Sequence, residues 1–199
     1  MFTGIIEQTG RIHSMEQSAG NLVYWVESLL SNELKVDQSV SHNGVCLTVE
    51  EITTGLHRVT AIDETIKKTN LGHWQPGTII NLERCMPMNG RLDGHIVQGH
   101  VDSTGTCTAV TEKNGSWEYT IRIDPTFAPF IIEKGSISLN GISLTIFNVT
   151  DDSFTVAIIP YTYMHTNMQQ LKENDTVNIE FDIIGKYVNR ISSLKEKNI

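Results

Sequence analysis

Cysteine is scarce in this chain of 199 residues. The three cysteines, Cys46, Cys85 and Cys107, lie far apart and form no Cys-x-x-Cys pair. Disulfide frameworks and thiolate zinc sites depend on several closely spaced cysteines, so neither is indicated here. We therefore expect free thiols and no metal centre.

Long apolar runs and an excess of positive charge are missing as well. No stretch approaches the roughly 18 consecutive apolar residues that a membrane-spanning helix needs. The opening MFTGIIEQTG has neither the basic leader nor the apolar core of a signal peptide. The formal net charge of -8 would repel the phosphate backbone of a nucleic acid. The sequence therefore predicts a cytoplasmic protein whose partners include no membrane and no nucleic acid.

Aromatic residues are few, at 7% of the chain, whereas glycine occurs 15 times. Short runs rich in Val, Ile and Thr recur between Gly, Asn and Asp, a pattern typical of many strands joined by turns. The sequence also contains no P-loop and no Gly-rich dinucleotide fingerprint. The composition thus favours a β-rich protein and shows no nucleotide-cofactor motif.

The strongest pattern in the sequence is an internal repeat. Position 43 matches position 140, an offset of 97 residues, and the same offset recurs downstream, whereas near the start the offset is 95. The matched segments are NGVCLTV at 43–49 with NGISLTI at 140–146, Thr65 with Thr162, TNL at 69–71 with TNM at 166–168, NLE at 81–83 with NIE at 178–180, and GIIE at 4–7 with GHVD at 99–102. A register kept this far indicates a tandem duplication into two homologous domains.

Each copy alternates in the manner of a β-strand. In the first copy the aliphatic residues of VCLTV alternate with Cys46 and Thr48, so these two share one face. The second copy places Ser143 and Thr145 in the same relation. An Asn-Gly pair precedes both runs and is a turn signal, because both residues tolerate positive φ. About six such strands per copy, joined by short turns, predict a small closed barrel.

Two stretches depart from the strand pattern. Residues 63–71 and 160–171 each predict a turn that leads into a short helix. Thr65 in the first copy and Thr162 in the second are suited to the N-cap position.

The tail of the chain predicts an amphipathic helix that begins near Lys186. Its apolar residues follow the i, i+1, i+4, i+7 spacing of one helical face: Tyr187, Val188, Ile191 and Leu194. A lone helix of this length is marginal in water, so the apolar stripe must pack on something. The partner is either the chain's own barrels or sister subunits.

The ordered set of motifs resembles the riboflavin synthase family. The motifs run through nearly the whole chain: MFTGIIE at 1–7, NGVCLTV at 43–49, ET at 64–65, TNLG at 69–72, NLER at 81–84, GHIVQGHVD at 94–102, NGISLTI at 140–146, IP at 159–160 and KYV at 186–188. The resemblance implies an all-β fold of two tandem homologous six-stranded Greek-key barrels plus a C-terminal α-helix. It divides the chain into an N-terminal lumazine-binding barrel at 1–94, a C-terminal lumazine-binding barrel at 95–185 and an oligomerisation helix at 186–199.

The resemblance also implies a reaction and an assembly. In the family's reaction, one molecule of 6,7-dimethyl-8-ribityllumazine gives a four-carbon unit to a second, yielding riboflavin and 5-amino-6-(ribitylamino)uracil. Two related pockets suit two identical substrates, and no cofactor is needed because one substrate is oxidised at the other's expense. The implied assembly is a homotrimer with sites between the N-terminal barrel of one subunit and the C-terminal barrel of its neighbour, associated with lumazine synthase.

The resemblance assigns residues to both substrates. One substrate is expected on Gly4, Ile5, Ile6, Cys46, Leu47, Thr48, Thr60, Ala61, Ile62, Asp63, Glu64 and Thr65, with Gly99, His100 and Val101 at the mouth. The other is expected on Lys134, Ser143, Leu144, Thr145, Ile159, Pro160, Tyr161, Thr162, Tyr163 and Met164. The candidates for proton transfer and nucleophilic attack are His100, Cys46, Ser143, Thr145 and Asp182, with Ser41 and Phe2 at further family positions near the site.

Several of these residues have a structural interpretation too. Cys46 could be a small buried hydrophobe, and Asp182 could cap a helix or pair with Lys186. We interpret His95 as structural rather than catalytic. The chain also departs from the family pattern, with Tyr161 in place of the usual His and Asp93 in place of a second Gly, and both departures affect the fine geometry of the site.

Two other functions compete with the enzyme. A non-catalytic relative that holds lumazine or flavin as a fluorescent antenna needs only one good pocket, whereas both copies here keep the N-G-x-(C/S)-L-T motif. A flavin-reductase-type barrel is disfavoured because no nicotinamide-binding half follows. The sequence therefore favours the enzyme.

Overall fold

Two closed antiparallel barrels followed by a helix make up the computed structural model, which describes residues 1–196. The first barrel contains β1 (Gln8–Ser18), β2 (Asn21–Glu27), β3 (Ser39–His42), β4 (Val45–Thr53), β5 (Leu56–Ala61) and β6 (Ile79–Arg84). The second contains β7 (Ser103–Glu112), β8 (Trp117–Arg122), β9 (Ser136–Leu139), β10 (Ile142–Phe147), β11 (Ser153–Ile158) and β12 (Thr176–Phe181).

The two barrels have the same Greek-key topology. Around the first barrel the strand order is β1-β2-β5-β4-β3-β6, and around the second it is β7-β8-β11-β10-β9-β12. The order confirms the predicted fold class of two homologous six-stranded barrels. Closure leaves neither barrel with a free sheet edge.

The alternation in the sequence decides which side chains fill each barrel. Val45, Leu47 and Val49 of β4 are buried in the core of the first barrel, whereas Thr48 is exposed and Cys46 is half-buried. In β10, Ile142 and Ile146 are buried in the core of the second barrel. The polar residues of both strands consequently lie on the outer faces of the barrels.

The predicted Asn-Gly turns join β3 to β4 and β9 to β10, and they meet where the barrels touch. Asn43, Gly44, Asn140 and Gly141 all have positive φ, as a tight hairpin turn requires. A Cβ on Gly44 would lie 2.8 Å from the backbone nitrogen of Gly141. Glycine is therefore needed here for its small size as well as for its backbone freedom.

Paired asparagines connect the barrels across a local two-fold axis. The Asn81 side chain donates to Asn140 O at 3.0 Å, and its repeat equivalent Asn178 donates to Asn43 O at 2.9 Å. Asn70 N–H donates to the side-chain oxygen of Asn178 at 2.7 Å. These buried, reciprocal hydrogen bonds make the two barrels one unit.

The short helices begin earlier than their predicted caps. The first, α1, runs over Asp63–Lys68, and the second, α2, over Pro160–His165. Thr65 and Thr162 therefore lie inside the helices, and their predicted N-cap role is wrong. Proline at the first helical position and acidic residues in the first turn both favour an N-terminus where the structure has it.

The tail forms α3 (Ile183–Glu196), which starts before the predicted Lys186. Asp182 explains the earlier start, because its carboxylate accepts Ile184 N–H at 2.9 Å and so caps the helix. Lys186 pairs instead with Asp102 at 2.6 Å. Residues 197–199 of the predicted helix lie outside the described residues. Within residues 1–196 no helix has the length and apolar character to cross a membrane.

The apolar stripe of α3 is not covered by the chain's own barrels. Tyr187 is 66% exposed, Val188 59% and Ile191 54%. More than half of each of these side chains is thus left open to a neighbouring subunit, while Val188 also lines a cavity with Phe130 and Ile132 of the second barrel.

Candidate functional site

The segment before β1 and the linker before β7 lie side by side. Phe2 and Val97 form an antiparallel bridge, in which Phe2 N–H donates to Val97 O at 2.7 Å and Val97 N–H donates to Phe2 O at 3.1 Å. Phe2 is almost fully buried, and a Cβ on Gly99 would lie 2.8 Å from its ring. The structure thus places this catalytic candidate beneath the linker, where it supports Gly99.

Each of the two segments lies against the outer face of the opposite barrel. Gly4 O accepts Ser143 N–H at 2.8 Å, and Gly99 O accepts Cys46 N–H at 2.9 Å. Both glycines have positive φ, and a Cβ on either would lie 2.6 Å from the Cβ of Ser143 or Cys46, respectively. Only glycine fits so close a backbone approach.

This crossing changes the expected grouping of residues. The resemblance implies residues 4–6 beside Cys46. Ile5 does line a cavity with Ser39 and Glu83 of the first barrel, but Gly4 contacts Ser143 and Ile6 packs on the core of the second barrel. Val101 packs on the core of the first barrel. The repeat shows which residues are equivalent, but it does not show which barrel each segment contacts.

The second barrel carries a cavity of about 460 Å³ on its outer face. Its walls are Lys134, Ser143, Leu144, Thr145, Phe147, Ala157, Ile159 and Thr162. Six of these eight residues are among the predicted substrate contacts. Phe147 and Ala157 were missed, although Phe147 continues the outer-face alternation of Ser143 and Thr145. We call this cavity the second groove.

The N-cap of α2, Ile159, and one residue of the helix, Thr162, line the second groove. Ile159, Tyr161 and Met164 are each more than half exposed, and Pro160 begins the helix. Tyr163 points the other way and stacks on Trp117, with 3.7 Å between ring centroids. An exposed apolar rim of this kind is typical of a surface that meets another molecule.

His95 contacts the Ser143 hydroxyl of the second groove. Its Nδ1 lies 2.6 Å from the Oγ of Ser143. Burial lowers the pKa of His95, and the negative charge of Asp182 partly opposes this, so the imidazole is neutral near pH 7 and can accept a proton. The structural interpretation of His95 is therefore incomplete. The GHIVQGHVD motif contains His95, but the internal repeat does not identify it, because the matched GIIE and GHVD segments begin at Gly4 and Gly99.

The first barrel carries the equivalent surface on β4, β3 and β6, which we call the first groove. Cys46 lies opposite Ser41, and Ser41 lies opposite Glu83, so the three side chains share one face. Thr48 extends the same face opposite Ser39. Burial is the main reason that the pKa of the Cys46 thiol is raised. The thiol is therefore protonated near neutral pH and is a poor nucleophile in this state.

The remaining residues predicted for the first groove differ in how far their side chains are exposed. The side chains of Leu47 and Ala61 are buried in the barrel core, which leaves only their backbone to face a ligand. Ile62 and His100 are exposed at the rim. Thr60 at the end of β5 and Asp63, Glu64 and Thr65 on α1 complete this set.

The two grooves differ in chemistry at equivalent positions. The pairs, first groove against second, are Asp37 and Lys134, Cys46 and Ser143, Glu50 and Phe147, and Cys85 and Asp182. The Lys134 ammonium lies 5.2 Å from the centroid of the Phe147 ring, a cation–π contact. The second groove thus combines a cation, an aromatic ring and a hydroxyl–imidazole pair, whereas the first has acids and thiols.

Two buried glutamates that sequence reasoning missed hold the crossing segments. Glu83 accepts hydrogen bonds from Thr3 and Gly4, and Glu180 accepts them from residues 98–100. The repeated NLE and NIE blocks were the available signal. Among residues 1–196 there is no group of three or more His, Cys, Asp or Glu side chains placed to bind a metal ion.

Comparison with known proteins gives a consistent result. The family model described as the lumazine binding domain matches residues 3–85 and again residues 98–182. Riboflavin synthase of Bacillus subtilis (strain 168) is 39% identical over 199 residues, covering 100% of this chain and 93% of that protein. Riboflavin synthase of Actinobacillus pleuropneumoniae is 40% identical over 189 residues, covering 94% of this chain and 88% of that protein.

Solved structures share the fold at lower sequence identity. LumP complexed with riboflavin superposes with a TM-score of 0.85 at 24% identity, covering 91% of this chain and 99% of that one. LumP complexed with 6,7-dimethyl-8-(1'-D-ribityl) lumazine gives a TM-score of 0.83 at 22% identity, with the same coverage. At this identity the similarity establishes the two-barrel fold.

Proposed function

We propose, from the premise that this chain belongs to the riboflavin synthase family, that it converts two molecules of 6,7-dimethyl-8-ribityllumazine into riboflavin and 5-amino-6-(ribitylamino)uracil. Family membership makes the protein an enzyme with two lumazine-binding domains. The step proposed is the transfer of a four-carbon unit between two identical substrates. The atoms and electrons of the two substrates account for both products, so no external oxidant is required.

The observation that carries the proposal is the presence of two related grooves. Each has a pair of polar side chains on the outer face of a strand, and each is bounded by a glycine segment from the other copy. Exposed backbone groups and small hydroxyls suit a heterocycle whose edge carries carbonyls and ring nitrogens. Two such grooves suit a reaction between two copies of one heterocycle, because holding both rings in register lowers the entropic barrier.

The second groove supplies the best-placed acid–base pair. We propose that neutral His95 takes a proton through Ser143 Oγ, 2.6 Å away, from the acidic C7 methyl group of a bound lumazine. Thr145 and Lys134 line the same cavity and would bind the ligand's polar edge. Proton transfer by a positioned group typically contributes about a hundredfold or more to the rate.

The first groove would hold the other substrate. Thr48 and the half-buried Cys46 face it, with Ser41 behind them. The protonated Cys46 thiol suits ligand contact better than nucleophilic attack, since its pKa is raised by burial. His100 lies at the rim, next to the glycine that covers Cys46, and is our candidate for proton movement at this groove.

We propose a homotrimer in which the first groove of one subunit faces the second groove of its neighbour. Within one chain the paired segments that contain Phe2 and Val97 lie between the grooves, so substrates bound there would not stack directly. The apolar rim of the second groove and the stripe on α3 are both exposed. A neighbouring subunit would cover both and complete the site.

The family resemblance also leads us to propose a cytoplasmic location and an association with lumazine synthase. Co-elution of the two purified proteins on a sizing column, against each protein alone, tests the association. Separate elution at micromolar concentration would contradict it.

The enzyme is tested by supplying a single compound. Purified protein is mixed with 6,7-dimethyl-8-ribityllumazine and nothing else, and flavin absorbance is followed. We expect one riboflavin for every two lumazines consumed. Tight binding without flavin formation would instead identify an antenna-type lumazine-binding protein, the alternative that the LumP fold leaves open.

A further inference from the structure

Two carboxylates buried between the barrels hold the glycine segments in place. Glu83 at the end of β6 accepts Thr3 N–H at 2.6 Å, Thr3 Oγ1–H at 2.7 Å and Gly4 N–H at 3.0 Å. Its repeat equivalent Glu180 accepts Gln98 N–H at 2.7 Å and the N–H groups of Gly99 and His100 at 2.9 Å. Among the described residues, each carboxylate thus receives three hydrogen bonds, all from one segment.

Each segment is bound by one barrel and contacts the groove of the other. Glu83 belongs to the first barrel, but the Gly4 it holds accepts Ser143 N–H in the second groove. Glu180 belongs to the second barrel, but the Gly99 it holds accepts Cys46 N–H in the first groove. The same arrangement occurs twice, related by the local two-fold axis.

We propose that Glu83 and Glu180 are positioning residues that act crosswise: Glu83 shapes the second groove, and Glu180 shapes the first. This inference rests on the proposed function only for its effect on substrate binding, and the positional claim stands on geometry. Each carboxylate is buried on the strand face of its own barrel, so it acts on a ligand through the segment that it holds. Each fixes a glycine that lies so close to the groove that an added Cβ would be 2.6 Å from the groove side chain, so small displacements change the groove wall.

A carboxylate is needed because all three partners are donors. An ionised carboxylate only accepts hydrogen bonds, whereas one end of a glutamine amide is an NH2 group. In Glu180→Gln that group would face at least one backbone N–H, and the segment would have to move. Hydrogen bonds to a charged group are also stronger than those to a neutral one.

Amide hydrogen exchange tests the crosswise claim directly. We expect Glu180→Gln to raise exchange at the Cys46 amide by about tenfold or more and to change exchange at the Ser143 amide much less, because hydrogen bonds to charged groups contribute strongly. Glu83→Gln should do the reverse. Each variant is the matched control of the other. The proposal would be overturned if exchange rose mainly at the amide in the barrel that carries the substitution, or rose by the same factor at both amides.

A titration with 6,7-dimethyl-8-ribityllumazine separates this inference from the proposed function. We expect the parent protein to bind two ligands per chain, and each variant to bind one of them about tenfold more weakly with the other changed much less. A parent that binds no lumazine would refute the proposed function while the exchange data still decide the positioning role. Equal weakening of both ligands in either variant would refute the crosswise role.

A second pair of variants covers the case in which a glutamate variant does not fold. Gly99→Ala and Gly4→Ala displace the same segments by a direct clash with Cys46 and Ser143, respectively. Gly99→Ala should raise amide exchange at Cys46, and Gly4→Ala should raise it at Ser143. An unchanged amide in both alanine variants would show that the segments do not position the grooves.

Discussion

At the scale of single residues, Ser143 and His95 form the proposed acid–base pair of the second groove. The hydrogen bond of 2.6 Å joins a hydroxyl on the wall of the second groove to a buried imidazole. The first groove has Cys46 at the position of Ser143. This difference predicts that the grooves do not contribute equally to proton transfer.

His95→Gln should therefore lower kcat by about a hundredfold or more, because it removes the proton acceptor. The affinity for 6,7-dimethyl-8-ribityllumazine should change much less, since Gln can keep a hydrogen bond to Ser143. Steady-state kinetics and a ligand titration give the two quantities. His13→Gln, an exposed histidine in β1, is the control. A kcat equal to that of the parent would remove His95 from the mechanism.

A chain of buried polar groups distinguishes the core of the first barrel from that of the second. Ser31 Oγ lies 2.8 Å from His57 Nδ1, and His57 Nε2 lies 2.8 Å from His42 Nε2. The repeat places Ala128, Phe154 and Leu139 at these positions in the second barrel. Two protonated rings cannot satisfy this arrangement, because both Nε2 atoms would then carry hydrogen and neither could accept.

The hydrogen-bonded series of Ser31, His57 and His42 predicts that the first barrel is sensitive to acid. Burial lowers the pKa of His57 to about 4, and it lowers the pKa of His42 well below the usual value. The unfolded state then binds more protons, so stability is complete above the unfolded pKa of about 6.5 and falls as the pH drops toward the folded value. For His57 alone, the free energy of unfolding falls by about 3 kcal/mol over this pH range.

The test replaces the three hydrogen-bonded residues by their counterparts from the second barrel. We expect the triple variant S31A, H42L and H57F to lose most of this pH dependence. Urea denaturation at pH 7 and pH 5 measures the difference for parent and variant. The same slope with pH in both proteins would show that other groups set the acid limit.

At the scale of elements, the two Asn-Gly turns support each other. Gly44 and Gly55 have similar positive φ, but a Cβ on Gly44 would meet Gly141, whereas a Cβ on Gly55 would find no heavy atom within 4 Å. Backbone strain is thus common to both positions, and crowding occurs only at Gly44. The pair separates the two effects.

Gly55→Ala should destabilise the protein by about 1–2 kcal/mol through backbone strain alone. Gly44→Ala should cost at least about 2 kcal/mol more, because the barrels must move apart at the turn. Urea denaturation of both variants gives the values. Equal losses would mean that the turns tolerate a methyl group at the junction.

The exposed stripe of α3 predicts an assembly that depends on this helix. Val188→Asp should convert the proposed trimer into a smaller species, since burying a carboxylate without a partner is strongly unfavourable. Ser193→Asp adds the same charge on the opposite side of the helix and should leave the trimer intact. Sedimentation velocity measures both. A trimer that survives Val188→Asp would place the interface elsewhere.

At the scale of the whole molecule, the sequence predicts each barrel but not the exchange between them. Alternation around Cys46 and Ser143 identifies the outer faces, and the repeat identifies equivalent residues. Neither pattern tells which barrel Gly4 contacts, because Gly4 and Gly99 occupy the same place in their copies and differ only in long-range neighbours. His95 lies outside the matched repeat segments, so the repeat does not indicate its contact with Ser143.

The crossing of the two leading segments also bears on the ancestry of the fold. A single-copy ancestor with this geometry could not cover its own groove, because the glycine would reach only the barrel of a twin. Such an ancestor would have been an obligate pair that traded N-terminal arms. Gene fusion would have turned that exchange between molecules into an internal one, after which the halves were free to diverge into thiol-bearing and hydroxyl-bearing sides.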